Sequence, residues 1–222
     1  SQVPLYVNDP VAVTAEGTPV RIVRNAETNL GDLCADAYRA LSNADIAFVN
    51  GGGIRKQIEA GDITLDDIYS VHPFGNTMCV IRVTGQQVLD ALEWGARAVP
   101  SENGGFLQVS GLTYEIHTGI ASSAEKDENG MFTRVSGEYR VKNVMVGGQP
   151  LELDKTYTLA SHNYMLLGHG DGYTMFDGCE VLGEDMMVDN QVLITYITTT
   201  LGGVVGEQYA NPYGDGRIVA VE

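Results

Sequence analysis

The sequence predicts an α+β domain in which helices pack on a mixed β-sheet. Three observations lead there. Strand-like and helix-like segments are interspersed without the strict alternation of a doubly wound parallel sheet. Several neighbouring strands have the spacing of hairpin pairs. The composition, 44% hydrophobic and 19% charged over 222 residues, is that of an ordered chain with a sizeable core.

The elements follow in order. Residues 1–20 carry no strong pattern and read as a linker or entry segment, with Leu5, Tyr6 and Val7 extended before a turn at Asp9 and Pro10. The domain is expected to occupy residues 21–222, opening with a strand at 21–24. Leu30, Leu33, Cys34, Ala37 and Leu41 then recur at three and four, a helix beginning near Asn29. Residues 44–49 form a short buried strand that ends in Gly51, Gly52 and Gly53, where the backbone can take conformations closed to other residues. Thr64 and Asp67 read as a helix N-terminus before Ile68. A strand at 77–83 leads to a helix opened by Thr84 and Gly85. Residues 107–118, 139–146 and 156–160 have strand character, and 119–138 is a polar, glycine-containing stretch expected as a flexible surface excursion. A glycine-rich loop covers 168–172, Asp189 is expected to cap a last helix, and 217–221 is a closing strand.

Charge excludes some classes. The 29 Asp and Glu against 13 Lys and Arg leave −16, so DNA and RNA are not expected as partners. A phosphate-bearing ligand must then be captured by a few local arginines. No apolar run approaches the ~18 residues of a membrane span. Cys34, Cys79 and Cys179 make no disulfide framework and no Cys-x-x-Cys pair. The chain starts at Ser1 without a signal peptide and reads as a fragment or processed form, with targeting information outside it.

Four constellations could carry chemistry. Asn50-Gly-Gly-Gly-Ile-Arg55 offers backbone N–H groups, an amide and a guanidinium fork suited to phosphate or sugar hydroxyls. Alone it fits a tight turn with a surface arginine equally well, and it is not a P-loop. Phe74, between Pro73 and Gly75, sits on a turn where a ring can stack on a flat ligand or plug a core edge. Tyr164 and the string Gly168-His-Gly-Asp171-Gly172-Tyr173 offer a second ring and a carboxylate that could take both hydroxyls of a vicinal diol, or simply a glycine-rich turn. Arg24, at a strand end, is a further cation. His72, His117, His162 and His169 fall in no metal-binding pattern, and no Gly-x-Ser-x-Gly elbow occurs.

In order, Glu27-Thr-Asn-Leu-Gly31, Asn50-Gly-Gly-Gly-Ile-Arg55, Gly61-Asp-Ile-Thr64, Pro73-Phe-Gly-Asn76, Thr84-Gly85, Phe106-Leu-Gln-Val-Ser-Gly111 and Gly170-Asp-Gly-Tyr173 resemble the C-terminal domain of the 5′-nucleotidase family. The resemblance implies that Asn50 and Arg55 contact the nucleoside and its sugar–phosphate side, that Arg24 binds substrate, that Phe74 and Tyr164 sandwich the base, and that Asp171 binds the ribose hydroxyls. His169 stands where the family commonly has glycine. Stacking of a base is worth ~1–3 kcal/mol and tolerates any base, so broad nucleotide specificity is expected.

The family's catalytic apparatus lies in a separate, covalently linked N-terminal metallophosphoesterase domain with two divalent metal ions, whose Asp-x-His, Gly-Asn-His and Gly-His-x-His motifs are absent here. The resemblance therefore implies no catalytic residue and no cofactor in this chain. It implies a nucleoside monophosphate or related nucleotide as ligand and an extracellular, periplasmic or cell-surface location. A non-catalytic cell-surface nucleoside-binding module is the alternative.

Overall fold

The computed structural model describes residues 1–222. In chain order it runs β1 (Asn8–Val13), β2 (Pro19–Arg21), α1 (Asn29–Ser42), β3 (Ile46–Asn50), α2 (Leu65–Val71), β4 (Met78–Thr84), α3 (Gly85–Ala96), β5 (Leu107–Ser110) and β6 (Leu112–His117). There follow β7 (Ala124–Lys126), β8 (Phe132–Val135), β9 (Val141–Val146), β10 (Gln149–Pro150), β11 (Thr156–His162), α4 (Asn163–Leu166), β12 (Glu180–Gly183), α5 (Asp189–Thr195) and β13 (Ile218–Val221). This is the expected mixed α+β architecture.

The central sheet has five strands in the order β12-β4-β11-β3-β5. Within it β3 and β11 run parallel and the other neighbours antiparallel. Because side chains alternate faces along a strand, this sheet divides the apolar residues between two cores. Ala47, Val49, Met78, Val80 and Ala160 face one way, onto Leu30, Leu33 and Ala37 of α1 and Val192 of α5. Ile46, Phe48, Cys79, Ile81 and Leu159 face the other, onto Val88, Leu92 and Trp94 of α3 and onto the second sheet, ordered β10-β9-β6-β13. Each core holds 26 buried residues, so neither is an accessory to the other.

The helix starts are chemically specified. Thr28 accepts from the Gly31 amide at the start of α1. Thr64 with Asp67, and Thr84 with Gln87, form reciprocal capping boxes at α2 and α3.

Five expectations are corrected. The strand at 21–24 stops at Arg21, because the amides of Asn25 and Ala26 both donate to the Ile22 carbonyl and close a turn. Residues 107–118 are two strands in different sheets, broken at Gly111, where φ is 82° and a Cβ would lie 2.1 Å from the Asp45 carbonyl oxygen. The stretch 119–138 carries the β7–β8 hairpin, and Phe132 packs edge-on against Trp94 at 5.7 Å between ring centroids. Asp189 is the first residue of α5 rather than its cap, which is Val188. The entry segment is also packed down: Val3, Leu5 and Val7 belong to the first core, and Leu5 bridges to Ile58.

Candidate functional site

Where the C-terminal ends of β3 and β11 meet the turn after α2, a cleft of about 370 Å³ opens. It is lined by Arg24, Asn50, Gly52, Gly53, Arg55, Phe74, Asn76, Gly104, Tyr164 and Asp171. All six residues singled out in the sequence thus converge, from five separate stretches of chain. The parallel β3–β11 pair accounts for this. It aims both strand ends at one edge of the sheet, placing Asn50 beside the loop that follows His162. Phe74 and Tyr164 are 60% and 44% exposed, far more than packing residues would be, so their rings are free to meet a ligand.

A hydrogen-bonded chain runs beneath the rings. Asn50 Nδ2 donates to Asp171 Oδ2 at 2.6 Å, and His162 Nε2 lies 3.0 Å from Asn50 Oδ1. The Tyr164 hydroxyl donates to Asp171 Oδ1 at 3.3 Å and accepts from the Asp171 amide at 3.2 Å. Asp171 holds a left-handed backbone (φ 54°), uncommon for a residue with a side chain. Trp94 Nε1 donates to its carbonyl at 2.9 Å and fixes that turn from the second core. Burial, then the Asp171 charge, pushes the Tyr164 phenol above its usual pKa, so it stays a hydroxyl at neutral pH.

The cations stand at the rim. The Arg55 guanidinium carbon is 5.9 Å from the Phe74 ring centroid, and Arg55 Nη1 donates to the Gly52 carbonyl at 3.3 Å. Arg24 lies on the turn after β2; its Nη1 is 3.9 Å from Glu102, and its buried Nε has no partner. Burial first, then neighbouring Arg21 and Arg55, lowers the Arg24 pKa. The two guanidiniums thus share the mouth of the cleft with the carboxylates of Glu102 and Asp171.

The glycine run works differently from expectation. None of Gly51, Gly52 and Gly53 has a positive φ. They are glycines because of close approach: a Cβ on Gly51 would lie 2.0 Å from the Val23 carbonyl oxygen, and one on Gly53 2.6 Å from Asn50 Oδ1. The amides of Gly51 and Gly52 donate to the carbonyls of Phe106 and Gly104, so they brace the loop instead of facing a ligand.

Two buried histidines flank this turn. His72 Nδ1 lies 3.3 Å from the Gly53 carbonyl, and burial lowers its pKa to about 4. Burial and the neighbouring His72 lower that of His162 to about 3. Both rings are neutral at ordinary pH.

The family description "5′-nucleotidase, C-terminal domain" matches residues 10–178. The chain belongs to that family. Over 203 residues it is 36% identical to the trifunctional nucleotide phosphoesterase protein YfkN of Bacillus subtilis, a match covering 90% of this chain and 13% of that protein. It is 34% identical over 176 residues to a 5′-nucleotidase of Vibrio cholerae, covering 79% of this chain and 28% of that one. The crystal structure of a 5′-nucleotidase precursor from Thermus thermophilus superposes on 99% of this chain and 38% of its own, with TM-score 0.77 and 31% identity. The chain thus spans well under half the length of these relatives.

One acidic group in this 5′-nucleotidase C-terminal domain has the residue types of a metal centre. Glu27, Asp32 and Asp215 are the one group of three whose ligand atoms lie within 4.8 Å of one another. They do not fit such a centre. Both Glu27 oxygens are used, accepting from the amides of Asp215, Gly216 and Ile218. Arg217 already stands against the group, at 2.9 Å from Asp215 and 3.6 Å from Asp32, and is shared with Asp36 at 2.7 Å. Burial pushes Asp32 well above the usual carboxylate range, a protonated acid beside Glu27. The cluster pins β13, far in sequence from the cleft residues.

Sequence reasoning passed over Gly104, whose residue pair with Gly105 was a visible signal, and Asn76, which lay inside a quoted motif. It also missed Trp94 and His162 as supports, since nothing in a sequence shows which core rings touch a site.

Proposed function

We propose that this chain is the nucleotide-specificity domain of a metal-dependent, extracellular, periplasmic or cell-surface 5′-nucleotidase that hydrolyses nucleoside phosphates. The observation that carries the reading is the meeting of two exposed rings, two arginines, an amide and a carboxylate in one cleft. Phe74 and Tyr164 hold the base by stacking, which is worth ~1–3 kcal/mol per base. Asp171 accepts from ribose hydroxyls, which replace the Tyr164 hydroxyl on Oδ1. Asn50 and Arg55 orient the sugar, and Arg24 with Arg55 draws the phosphate end.

The chemistry belongs to a linked metallophosphoesterase domain. Two divalent ions held in that domain would supply the activation of water and the polarisation of the phosphate. The residues of this chain bind and orient the substrate, a contribution that counts only beside the reactive centre.

Calorimetric titration of the chain with millimolar adenosine, without metal, tests the reading. Saturable heat that Tyr164→Ala removes is the expected result. No heat from a folded chain would sink the claim that this domain clamps a nucleoside unaided. A longer protein that binds adenosine but hydrolyses no nucleotide with divalent metal present would favour the non-catalytic module.

A further inference from the structure

The orientation of the Asn50 amide follows from its neighbours. A carboxylate only accepts hydrogen bonds. The Asn50 atom 2.6 Å from Asp171 Oδ2 is therefore the NH₂ group, and the oxygen is the atom facing His162. That oxygen can be satisfied only if His162 carries its proton on Nε2. His162 Nδ1, buried and without a partner, is then the bare nitrogen. The oxygen also nests under Gly53, where a Cβ would come within 2.6 Å of it. The second Asn50 amide hydrogen has no protein acceptor, and Asn50 lines the cleft.

We propose that His162 is a positioning residue for the cleft: its Nε2–H holds the Asn50 amide oxygen inward, so that the cleft presents an N–H donor beside the Asp171 acceptor. The ligand class this selects offers a hydroxyl donor next to an acceptor atom, and an inverted amide would face that acceptor with an oxygen in place of the N–H. Burial keeps the His162 ring neutral, as the arrangement requires. Packing is the competing explanation for the ring, because His162 also lies edge-on to Tyr38 at 6.4 Å and 5.9 Å from Tyr164.

The two roles predict opposite orders for two variants. His162→Phe keeps an aromatic ring but leaves the buried Asn50 oxygen unpaired, so that only the bond to Asp171 still holds the amide. His162→Gln loses the ring but keeps an N–H donor. Positioning predicts that Phe raises the adenosine Kd about tenfold while Gln raises it less than about threefold. A silent Phe with a damaging Gln, or equal losses in both, would make His162 a packing residue and overturn the proposal. Adenosine rests on the function proposed above, so a ligand-free readout accompanies it. Nitrogen-15 spectra of the chain should show His162 as the Nε2–H tautomer. One Asn50 amide hydrogen should be protected from exchange in wild type and in His162→Gln, and less protected in His162→Phe. The Nδ1–H tautomer in wild type, or an unprotected Asn50 amide there, refutes the proposal even if adenosine does not bind.

Discussion

Acid should weaken this domain through His72 by an amount that can be isolated. The ring is buried at the end of α2, with Nε2 unpartnered and Nδ1 against the Gly53 carbonyl. Its folded pKa, about 4, lies below the unfolded value of 6.5. The unfolded chain therefore takes up a proton below pH 6.5 and the folded one does not. The stability tied to this difference is complete above pH 6.5 and is lost as pH falls toward 4. At pH 5 the gap of about 1.5 pH units below the unfolded pKa corresponds to about 2 kcal/mol. The raw pH curve hides this. Asp32 and Asp189 are shifted upward by burial, Asp189 to about 6, so both groups favour the folded state as pH falls. A comparison with His72→Gln cancels them, since both carboxyls are present in each protein. Gln can still donate to Gly53. Urea unfolding followed by the fluorescence of Trp94, the single tryptophan, gives stability at pH 7 and pH 5. Wild type should lose about 2 kcal/mol more than the variant between the two. Equal losses, within about 0.5 kcal/mol, would mean that the folded state already accommodates a charged His72.

Other substitutions probe the cleft and its supports. Phe74→Ala removes a ring that is 60% exposed, so the unfolding midpoint should hold while adenosine binding weakens by ~1–3 kcal/mol, read by calorimetry. Gly170→Ala puts a Cβ 2.3 Å from the Tyr164 ring. The ring must swing aside, and nucleoside binding should fall by more than about tenfold in a chain whose circular dichroism is native; unchanged affinity would remove Tyr164 from the clamp. Glu27→Gln leaves an NH₂ group facing the Ile218 amide and weakens three charge-assisted bonds. Chemical denaturation should register a loss of roughly 2 kcal/mol or more, part of it offset as Asp32 ionises more easily.

The elements were largely legible because their signals are local. Thr64 with Asp67 announces one helix start, which forms the expected cap, and Thr84 with Gly85 opens another, where Thr84 and Gln87 form a capping box. The misread pieces depend on distant partners. Nothing local shows that the chain after Gly111 leaves one sheet for another, since that break is set by the Asp45 carbonyl approaching from elsewhere. The hairpin in 119–138 likewise owes its order to Phe132 meeting Trp94. For the site, residue types and motif order brought forward Arg24, Asn50, Arg55, Phe74, Tyr164 and Asp171, and one cleft holds them all. The internal use of the Gly51 and Gly52 amides was not legible, because their acceptors, Phe106 and Gly104, lie some fifty residues away. In the sequence His162 falls in no metal-binding pattern and carries no other signal, and its bond to Asn50 depends on the pairing of β3 with β11.

The shared central sheet has a consequence for how the molecule comes apart. Strands β3, β4 and β11 each contribute alternate side chains to both cores, so neither core can open while the other keeps its floor intact. Heat or denaturant should then melt the chain in one cooperative step, with the amides of those three strands exchanging last. The cleft hangs from the ends of two of them. Its walls therefore inherit the rigidity of the most slowly opening part of the protein, while Phe74 sits on the turn beyond α2 and Tyr164, in α4, is tied back to Asp171 through its hydroxyl.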